Sequence, residues 1–213
     1  MTRVKICGVT NLADARLAAD LDAWALGLVF WPQSPRACSL EAAEEIGAEL
    51  KRRTELAGVF VNAPLDEVAS TADRVGLTLL QLHGDEGPTY CAEAARRTGA
   101  RVMKAMRVKD RSQVQALRAY RTDFHLLDAY VPGAPGGTGK SFPWELAREH
   151  AGPAKLVVSG GLTADNVGEA IKAAQPFAVD TASGTEAEPG RKDPARLRAF
   201  VRAVEAADHL AAA

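Results

Sequence analysis

The chain is short of cysteine, of net charge and of long apolar runs, and each shortage excludes a class of protein. The three cysteines, Cys7, Cys38 and Cys91, are odd in number and far apart, which favours free thiols in a reducing cytoplasm over a disulfide framework. Lys and Arg total 26 against 27 Asp and Glu, so no basic excess favours nucleic acid or a membrane surface. The longest apolar run, 23–31, is too short to span a bilayer.

What the chain does contain is a regular alternation of short apolar runs and longer stretches of helical period. Eight such cycles, about 25 residues apart, favour parallel βαβ units, and eight units close most naturally into a (β/α)₈ barrel. We therefore expect residues 1–213 to form a single barrel domain. The predicted strands are Val4–Cys7, Ala25–Trp31, Leu56–Asn62, Leu79–His83, Arg101–Met106, Phe124–Asp128, Lys155–Ser159 and Ala178–Thr181.

The main alternative fold is an open, doubly wound sheet. Such a sheet would carry a G-x-G-x-x-G turn after its first strand to bind a dinucleotide. Here Gly8 is followed by Val-Thr-Asn-Leu-Ala, without a second glycine. The barrel is therefore the preferred prediction.

The first strand ends in a cysteine, where parallel α/β proteins place their active sites. Because side chains alternate along a strand, Lys5 and Cys7 share one face. A lysine beneath a thiol is unusual for packing but lowers the thiol pKa. The alternative for Cys7 is a small buried hydrophobic residue, which is what free cysteines usually are.

Two strand-borne aspartates accompany this thiol. Asp128 ends the sixth apolar run, where it could act as a general acid or simply cap a helix. Asp180 lies in the eighth strand and could bind substrate or form a buried ion pair with Lys5. If Cys7 and Asp128 face one cleft, the pair offers a base and an acid for proton transfer on a small molecule.

Glycine turns follow the last two predicted strands. Barrels that bind phosphorylated ligands often build the phosphate site from the loops after strands seven and eight, and glycine amides can approach a phosphate closely. These turns predict a phosphate site at Gly160, Gly161, Ser183 and Gly184. The segment Gly136–Lys140 only partly matches a nucleotide-binding P-loop, because Ala134 stands where the first glycine belongs, and we interpret it as an active-site loop.

Three further polar residues lie at strand ends. Arg36 follows the second strand, and its guanidinium suits a carboxylate, although a loop arginine is more often solvated. Gln81 and His83 end the fourth strand on one face, where they could bind a polar ligand or cap the next turn.

Taken together, these segments closely resemble the phosphoribosylanthranilate isomerase family of tryptophan biosynthesis. They run in order along essentially the whole chain: Lys5-Ile6-Cys7-Gly8, Gly27-Leu28-Val29-Phe30, Ser34-Pro35-Arg36, Gly58-Val59-Phe60-Val61-Asn62, Leu80-Gln81-Leu82-His83-Gly84, Leu127-Asp128, Gly137-Thr138-Gly139, Ser159-Gly160-Gly161-Leu162 and Asp180-Thr181-Ala182-Ser183-Gly184-Thr185-Glu186.

The resemblance implies a (β/α)₈ barrel that converts N-(5-phosphoribosyl)anthranilate into 1-(2-carboxyphenylamino)-1-deoxyribulose 5-phosphate, an Amadori rearrangement without metal or organic cofactor. It implies Asp128 as the general acid, Cys7 as the general base and Arg36 as the residue that holds the anthranilate moiety. The turns at Gly160-Gly161 and Ser183-Gly184 match the family's phosphate site. The expected partner is a phosphorylated small molecule, with no nucleic acid or membrane, for a monomer or homodimer.

Two alternatives use the same barrel. A related sugar-phosphate isomerase of histidine biosynthesis usually carries aspartate on the first strand, where this chain has Cys7. A non-catalytic phosphate-binding barrel would need the glycine turns but neither Cys7 nor Asp128. The chain also departs from the family at Pro143, where relatives often have aspartate, and at Ala182, where serine is frequent.

Overall fold

The computed structural model describes residues 1–129 and 143–212, with only the backbone of 211 and 212. The predicted active-site loop Gly136–Lys140 lies outside the described residues.

Eight parallel strands close into a barrel in chain order, with β1 paired to both β2 and β8. The predicted (β/α)₈ fold is thereby confirmed. The strands are β1 Arg3–Cys7, β2 Ala25–Val29, β3 Glu55–Phe60, β4 Leu79–Leu82, β5 Arg101–Val108, β6 Phe124–Ala129, β7 Lys155–Val158 and β8 Ala178–Thr181.

Helices surround this barrel, and polar residues set several of their starts. The Asn11 side chain accepts from the Asp14 amide at 2.9 Å, and Ser39 accepts from the Ala42 amide at 3.2 Å, as N-caps do. The α-helices are α1 Leu12–Asp20, α2 Leu40–Leu50, α3 Leu65–Val75, α4 Pro88–Thr98, α5 Arg111–Ala116, α6 Val167–Ala174 and α7 Pro194–Ala212. Short 3₁₀ helices cover Leu117–Ala119, Trp144–Glu149 and Ser183–Thr185.

Two features differ from the regular pattern. Between β6 and β7 the described chain forms the 3₁₀ helix Trp144–Glu149, which begins directly after Pro143. After β8, a hairpin of β9 Glu186–Glu188 and β10 Arg191–Lys192 precedes the last helix. The sequence does not predict this hairpin, because its strands are two and three residues long and carry no apolar alternation.

The predicted strand ends shift by one or two residues. β2 ends at Val29, although apolar residues continue through Phe30 and Trp31. These two residues lie beyond the strand and make tertiary contacts. The Phe30 ring stacks on Phe60 with 5.3 Å between ring centroids, and Trp31 lines a cavity.

The barrel interior is apolar at the amino-terminal ends of its strands. A cluster of fully buried side chains fills it, with Trp24 and Phe177 packed against it: Ala57, Leu79, Met103, Ala105, Phe124, Leu126, Val157 and Ala178. A larger core lies between the barrel and its helices. Within the described part of the chain, none of the helices combines the length and apolar character that crossing a membrane requires.

Candidate active site

A cavity of about 340 Å³ opens at the carboxyl ends of the barrel strands. It collects nine of the ten site residues that the sequence predicts: Cys7, Arg36, Gln81, His83, Asp128, Gly160, Gly161, Asp180 and Ser183. The tenth, Gly184, lies behind the wall, where a Cβ would collide with the main-chain carbonyl of Leu162. These residues are far apart in sequence, but they lie close together because the carboxyl ends of all the barrel strands surround the same cavity.

Cys7 ends β1 beside a strand that leaves room for its sulfur. It pairs in register with Gly27 of β2, where an added Cβ would lie 2.7 Å from the sulfur. Burial raises the pKa of the Cys7 thiol, whereas the nearby Lys5 and Lys192 ammonium groups lower it by less. Lys5 therefore acts on the thiol in the predicted direction, but burial outweighs it. The residue lines the cavity, and 9% of its surface remains exposed.

Lys5 and Asp180 form a buried ion pair below the thiol, one of the two arrangements predicted from sequence. Lys5 Nζ donates to Asp180 Oδ1 at 2.7 Å, and the hydroxyl of Ser159 donates to Asp180 Oδ2 at 2.9 Å. Burial lowers the pKa of Lys5, but Asp180 and Cys7 together outweigh it and hold that pKa above its usual value. The ion pair with Asp180 therefore favours the ammonium form of Lys5 beneath Cys7.

Asp128 lies one residue before the end of β6, on the cavity wall and in contact with His83. Its Oδ1 accepts from the Ala129 amide at 2.8 Å, and its Oδ2 lies 3.3 Å from His83 Nε2. Gln81 Nε2 lies 2.9 Å from His83 Nδ1, so Gln81, His83 and Asp128 form one connected polar group. Among the described residues, the buried Gln81 Oε1 has no hydrogen-bond partner, so it can meet a polar ligand.

Arg36 lies on the cavity wall in a network that the sequence does not predict. Its Nε donates to Glu186 Oε1 at 2.8 Å, and its Nη2 donates to Oε2 at 2.8 Å. Lys192 Nζ donates to Glu186 Oε1 at 3.1 Å and to the Cys7 carbonyl at 2.6 Å. Glu186 belongs to a matching family segment, so a carboxylate there could have been noted, but no local signal marks Lys192.

The two glycine turns lie against each other at the cavity rim. Gly160 and Gly161 have φ values of 92° and 63°, in the left-handed region that favours glycine. A Cβ on Gly160 would lie 2.6 Å from the Ala129 amide nitrogen, so only glycine allows β6 and this turn to approach. Ser183 begins a one-turn 3₁₀ helix, which leaves amide groups near the cavity without helical partners.

Within 1–129 and 143–212, no group of three or more His, Cys, Asp or Glu side chains is arranged to hold a metal ion. The ionisable side chains that line the cavity are a thiol, two carboxyl groups, an imidazole and a guanidinium. Such a set suits proton transfer and the binding of an anion.

Comparisons with known proteins agree on one family. The family profile described as N-(5'phosphoribosyl)anthranilate (PRA) isomerase matches residues 4–203. The N-(5'-phosphoribosyl)anthranilate isomerase of Pelobacter propionicus is 47% identical over 202 residues, which are 95% of each chain.

Two solved structures are also similar. One, of monomers generated from the dimeric phosphoribosylanthranilate isomerase of Thermotoga maritima, has a TM-score of 0.85 and 38% identity over 97% of this chain and all of that one. Another isomerase, in complex with reduced 1-(o-carboxyphenylamino)-1-deoxyribulose 5-phosphate, has a TM-score of 0.84 and 37% identity with the same coverage. This chain belongs to the N-(5'-phosphoribosyl)anthranilate isomerase family.

Proposed function

We propose that this barrel isomerises N-(5'-phosphoribosyl)anthranilate in tryptophan biosynthesis, with Asp128 as general acid and Cys7 as general base. The observation that carries the proposal is that both side chains line one cavity. They stand on β6 and β1, with β7 and β8 between them. A sugar ring lying across the cavity can therefore meet the acid on one side and the base on the other.

The ends of this substrate match the two ends of the cavity. Arg36 suits the anthranilate carboxylate, since a guanidinium recognises a carboxylate through paired N–H donors. The apolar side chains of Val29, Trp31 and Val59 surround Cys7 and offer a surface to the aromatic ring. The glycine turns at Gly160-Gly161 and Ser183-Gly184 would take the phosphate through main-chain amides. Gln81, His83 and Asp180 remain for the sugar hydroxyls.

The reaction then needs two proton transfers. The Asp128 carboxyl donates its proton to the furanose ring oxygen; the bond from that oxygen to C1 breaks, and the nitrogen lone pair forms a C1 iminium. The Cys7 thiolate removes the C2 proton, and the C–H electron pair forms the enolamine and neutralises nitrogen. The enolamine then tautomerises to the ketone product. The product is an isomer of the substrate, so no cofactor enters the balance.

The electrostatics around Cys7 are consistent with a base that removes the C2 proton after the sugar ring has opened. Burial raises the thiol pKa, so little thiolate is present before substrate binds. An iminium at C1 strongly acidifies the adjacent C2–H, and Lys5 beneath the sulfur stabilises its anion. The thiol first loses its proton to solvent, and the resulting thiolate, the minor form, removes the C2 proton after ring opening has produced the iminium.

A turnover assay tests this proposal. Purified protein is incubated with freshly prepared phosphoribosylanthranilate, and the loss of anthranilate fluorescence is followed, with the ketone product identified by mass. We expect turnover by the wild type and a loss of at least about 10²-fold in Cys7→Ala. Cys38→Ala, another buried cysteine but outside the cavity, is the matched control and should stay near wild type. A wild-type protein without turnover would contradict the proposal.

We also infer a cytoplasmic protein, since all three cysteines are unpaired thiols. Residues 1–213 are inferred to form one domain, which unfolds in a single transition. We expect a monomer or a homodimer, and sedimentation velocity distinguishes the two by mass.

A further inference from the structure

Lys192 stands at the centre of a buried network that joins the predicted base to the predicted anion-binding arginine. Its side chain is fully buried, and Nζ donates to the Cys7 carbonyl at 2.6 Å, the Ala182 carbonyl at 3.2 Å and Glu186 Oε1 at 3.1 Å. Glu186 in turn binds Arg36 through both Nε and Nη2. One continuous chain of contacts therefore runs from the end of β1 to the guanidinium.

The hairpin that carries Lys192 is anchored on both sides. The Lys192 amide donates to Asp14 Oδ2 at 2.8 Å, and the hydroxyl of Thr10 donates to the Gly190 carbonyl at 2.6 Å. On the other side, Arg196 Nη1 donates to the Glu186 carbonyl at 2.6 Å. These bonds hold β9 and β10 against the start of α1 and the start of α7, so the position of the ammonium group is fixed by the fold.

The charges of the network explain why Arg36 could still attract a carboxylate. A carboxylate bound to an arginine would by itself neutralise it and weaken its attraction for an incoming anion. Here Glu186 is shared between Arg36 and Lys192, so three ionised groups carry one net positive charge. Arg36 and Lys192 hold the pKa of Glu186 below its usual value despite burial. Burial lowers the pKa of Lys192, and Glu186 opposes that shift, so each group supports the ionised form of the other.

We propose that Lys192, acting through Glu186, is a positioning residue that keeps Arg36 oriented and the carboxylate subsite positively charged, while its bond to the Cys7 carbonyl fixes the end of β1. This inference rests on the proposed function, because it takes Arg36 to bind the aryl carboxylate. Glu186 occupies the edge of the guanidinium formed by Nε and Nη2 and leaves Nη1 for the ligand. The carboxylate of the substrate would then neutralise the remaining charge.

A second buried lysine offers a matched control. Lys104 Nζ donates to Glu86 Oε2 at 2.9 Å and to the carbonyls of Gly84 at 2.6 Å and Leu82 at 3.2 Å. Its chemistry is the same as that of Lys192, with one glutamate and two main-chain carbonyls, but it does not line the cavity and has no contact with Arg36. A purely structural effect of losing a buried lysine should appear equally in both variants.

The test measures binding by calorimetry with two probes: reduced 1-(o-carboxyphenylamino)-1-deoxyribulose 5-phosphate and the same compound without its carboxyl group. Lys192→Met should weaken the carboxylated probe about 10-fold or more and change the other less than about 2-fold. Adding Glu186→Gln to Lys192→Met returns the network to one net positive charge but loses the ion pair that orients Arg36, so it should recover part of the lost affinity for the carboxylated probe. Lys104→Met should change both probes alike.

The possible results are distinct. Equal weakening of both probes in Lys192→Met, or further weakening in the double variant, overturns the inference. If Lys192→Met does not fold, Lys192→Gln, which keeps a donor toward the Cys7 carbonyl, carries the same expectation. If the wild type turns over phosphoribosylanthranilate but Lys192→Met binds both probes with equal loss of affinity, only this inference is refuted. A wild type that binds neither probe and shows no turnover refutes the proposed function and this inference with it.

Discussion

The two ends of the barrel interior are built from the same strands but from different chemistry. On β4 the inward positions run from Leu79 to Gln81, and on β6 from Phe124 through Leu126 to Asp128. Both of these strands are apolar where they enter the barrel and polar where they leave it. Because side chains on one face repeat every second residue, a single strand can serve both ends.

The difference separates stability from chemistry. The amino-terminal end is closed by packed aromatic rings, with Trp24 at 5.1 Å from Phe124 and 5.2 Å from Phe177 between centroids. The carboxyl-terminal end instead buries Lys5, Gln81, Asp128 and Asp180, groups that are costly to desolvate and gain only when paired. Substitutions at the first end should therefore act on folding and those at the second on turnover.

The largest effect is expected at the polar end of β6. Asp128→Asn removes the proposed acid while keeping its shape, so kcat should fall about 10²–10⁴-fold with little change in thermal unfolding. Asp123, just before the other end of β6, accepts from the Val102 amide at 2.9 Å and supplies the control. Asp123→Asn should keep kcat within about 2-fold of wild type. Similar losses in both variants would contradict the division between the two ends.

Leu126 lies two residues before Asp128 on the same face of β6, and its substitution should lower stability and leave turnover nearly unchanged. Leu126 is fully buried in the apolar cluster. Leu126→Ala should lower the free energy of unfolding by about 2–5 kcal/mol, because it removes buried methyl groups and leaves a cavity. Urea unfolding measures the loss, and kcat per folded molecule at low temperature should remain within a few-fold. A kcat loss as large as that of Asp128→Asn would show that the two ends are not separable.

The sequence predicts which residues lie at the apolar and polar ends of the barrel better than it predicts the contacts that position the polar residues. Apolar periodicity locates all eight strands, and the residue that ends each run, such as Cys7 or Asp128, follows directly. The bond between Lys192 and the Cys7 carbonyl joins residues 185 positions apart, and it depends on a hairpin too short to leave a pattern. The pairing of Arg36 with Glu186 is likewise a tertiary contact. Local patterns predict elements and their ends, whereas such contacts arise only when the barrel closes.

The outer face of β6, which packs against the surrounding helices, is a third environment to compare with the two ends of the barrel interior. His125 is buried there, and its Nδ1 lies 2.9 Å from His150 Nε2 at the end of the 3₁₀ helix Trp144–Glu149. Burial, together with the neighbouring His150, lowers the pKa of His125 to about 4. Between that value and about 6.5 the unfolded chain binds a proton that the folded chain does not. The free energy of unfolding should therefore fall as the pH drops through this window, by at most roughly 3 kcal/mol.

Urea unfolding between pH 7 and pH 4 measures this effect. His125→Leu should flatten the decline, while His209→Gln, a change at an exposed histidine of α7, should leave it as in wild type. A decline that is equally steep in His125→Leu would assign the acid sensitivity to other groups.

The smallest effect concerns the charge beneath the thiol. Lys5→Met removes a cation that lowers the Cys7 pKa and leaves the nearby Asp180 carboxylate, which raises it. Alkylation of Cys7 by iodoacetamide at fixed pH, followed by mass spectrometry, should slow roughly 3–10-fold, because only the thiolate reacts. Adding Asp180→Asn should recover part of the rate. Burial raises the pKa of Cys38 and of Cys91 to about 11 each, and because neither lies beside Lys5, their rates provide internal references that Lys5→Met should leave unchanged. An unchanged rate at Cys7 would mean that Lys5 contributes to packing at this end of the barrel and not to the reactivity of the thiol. A buried charge at the polar end would then act on folding, as the apolar side chains do at the other end.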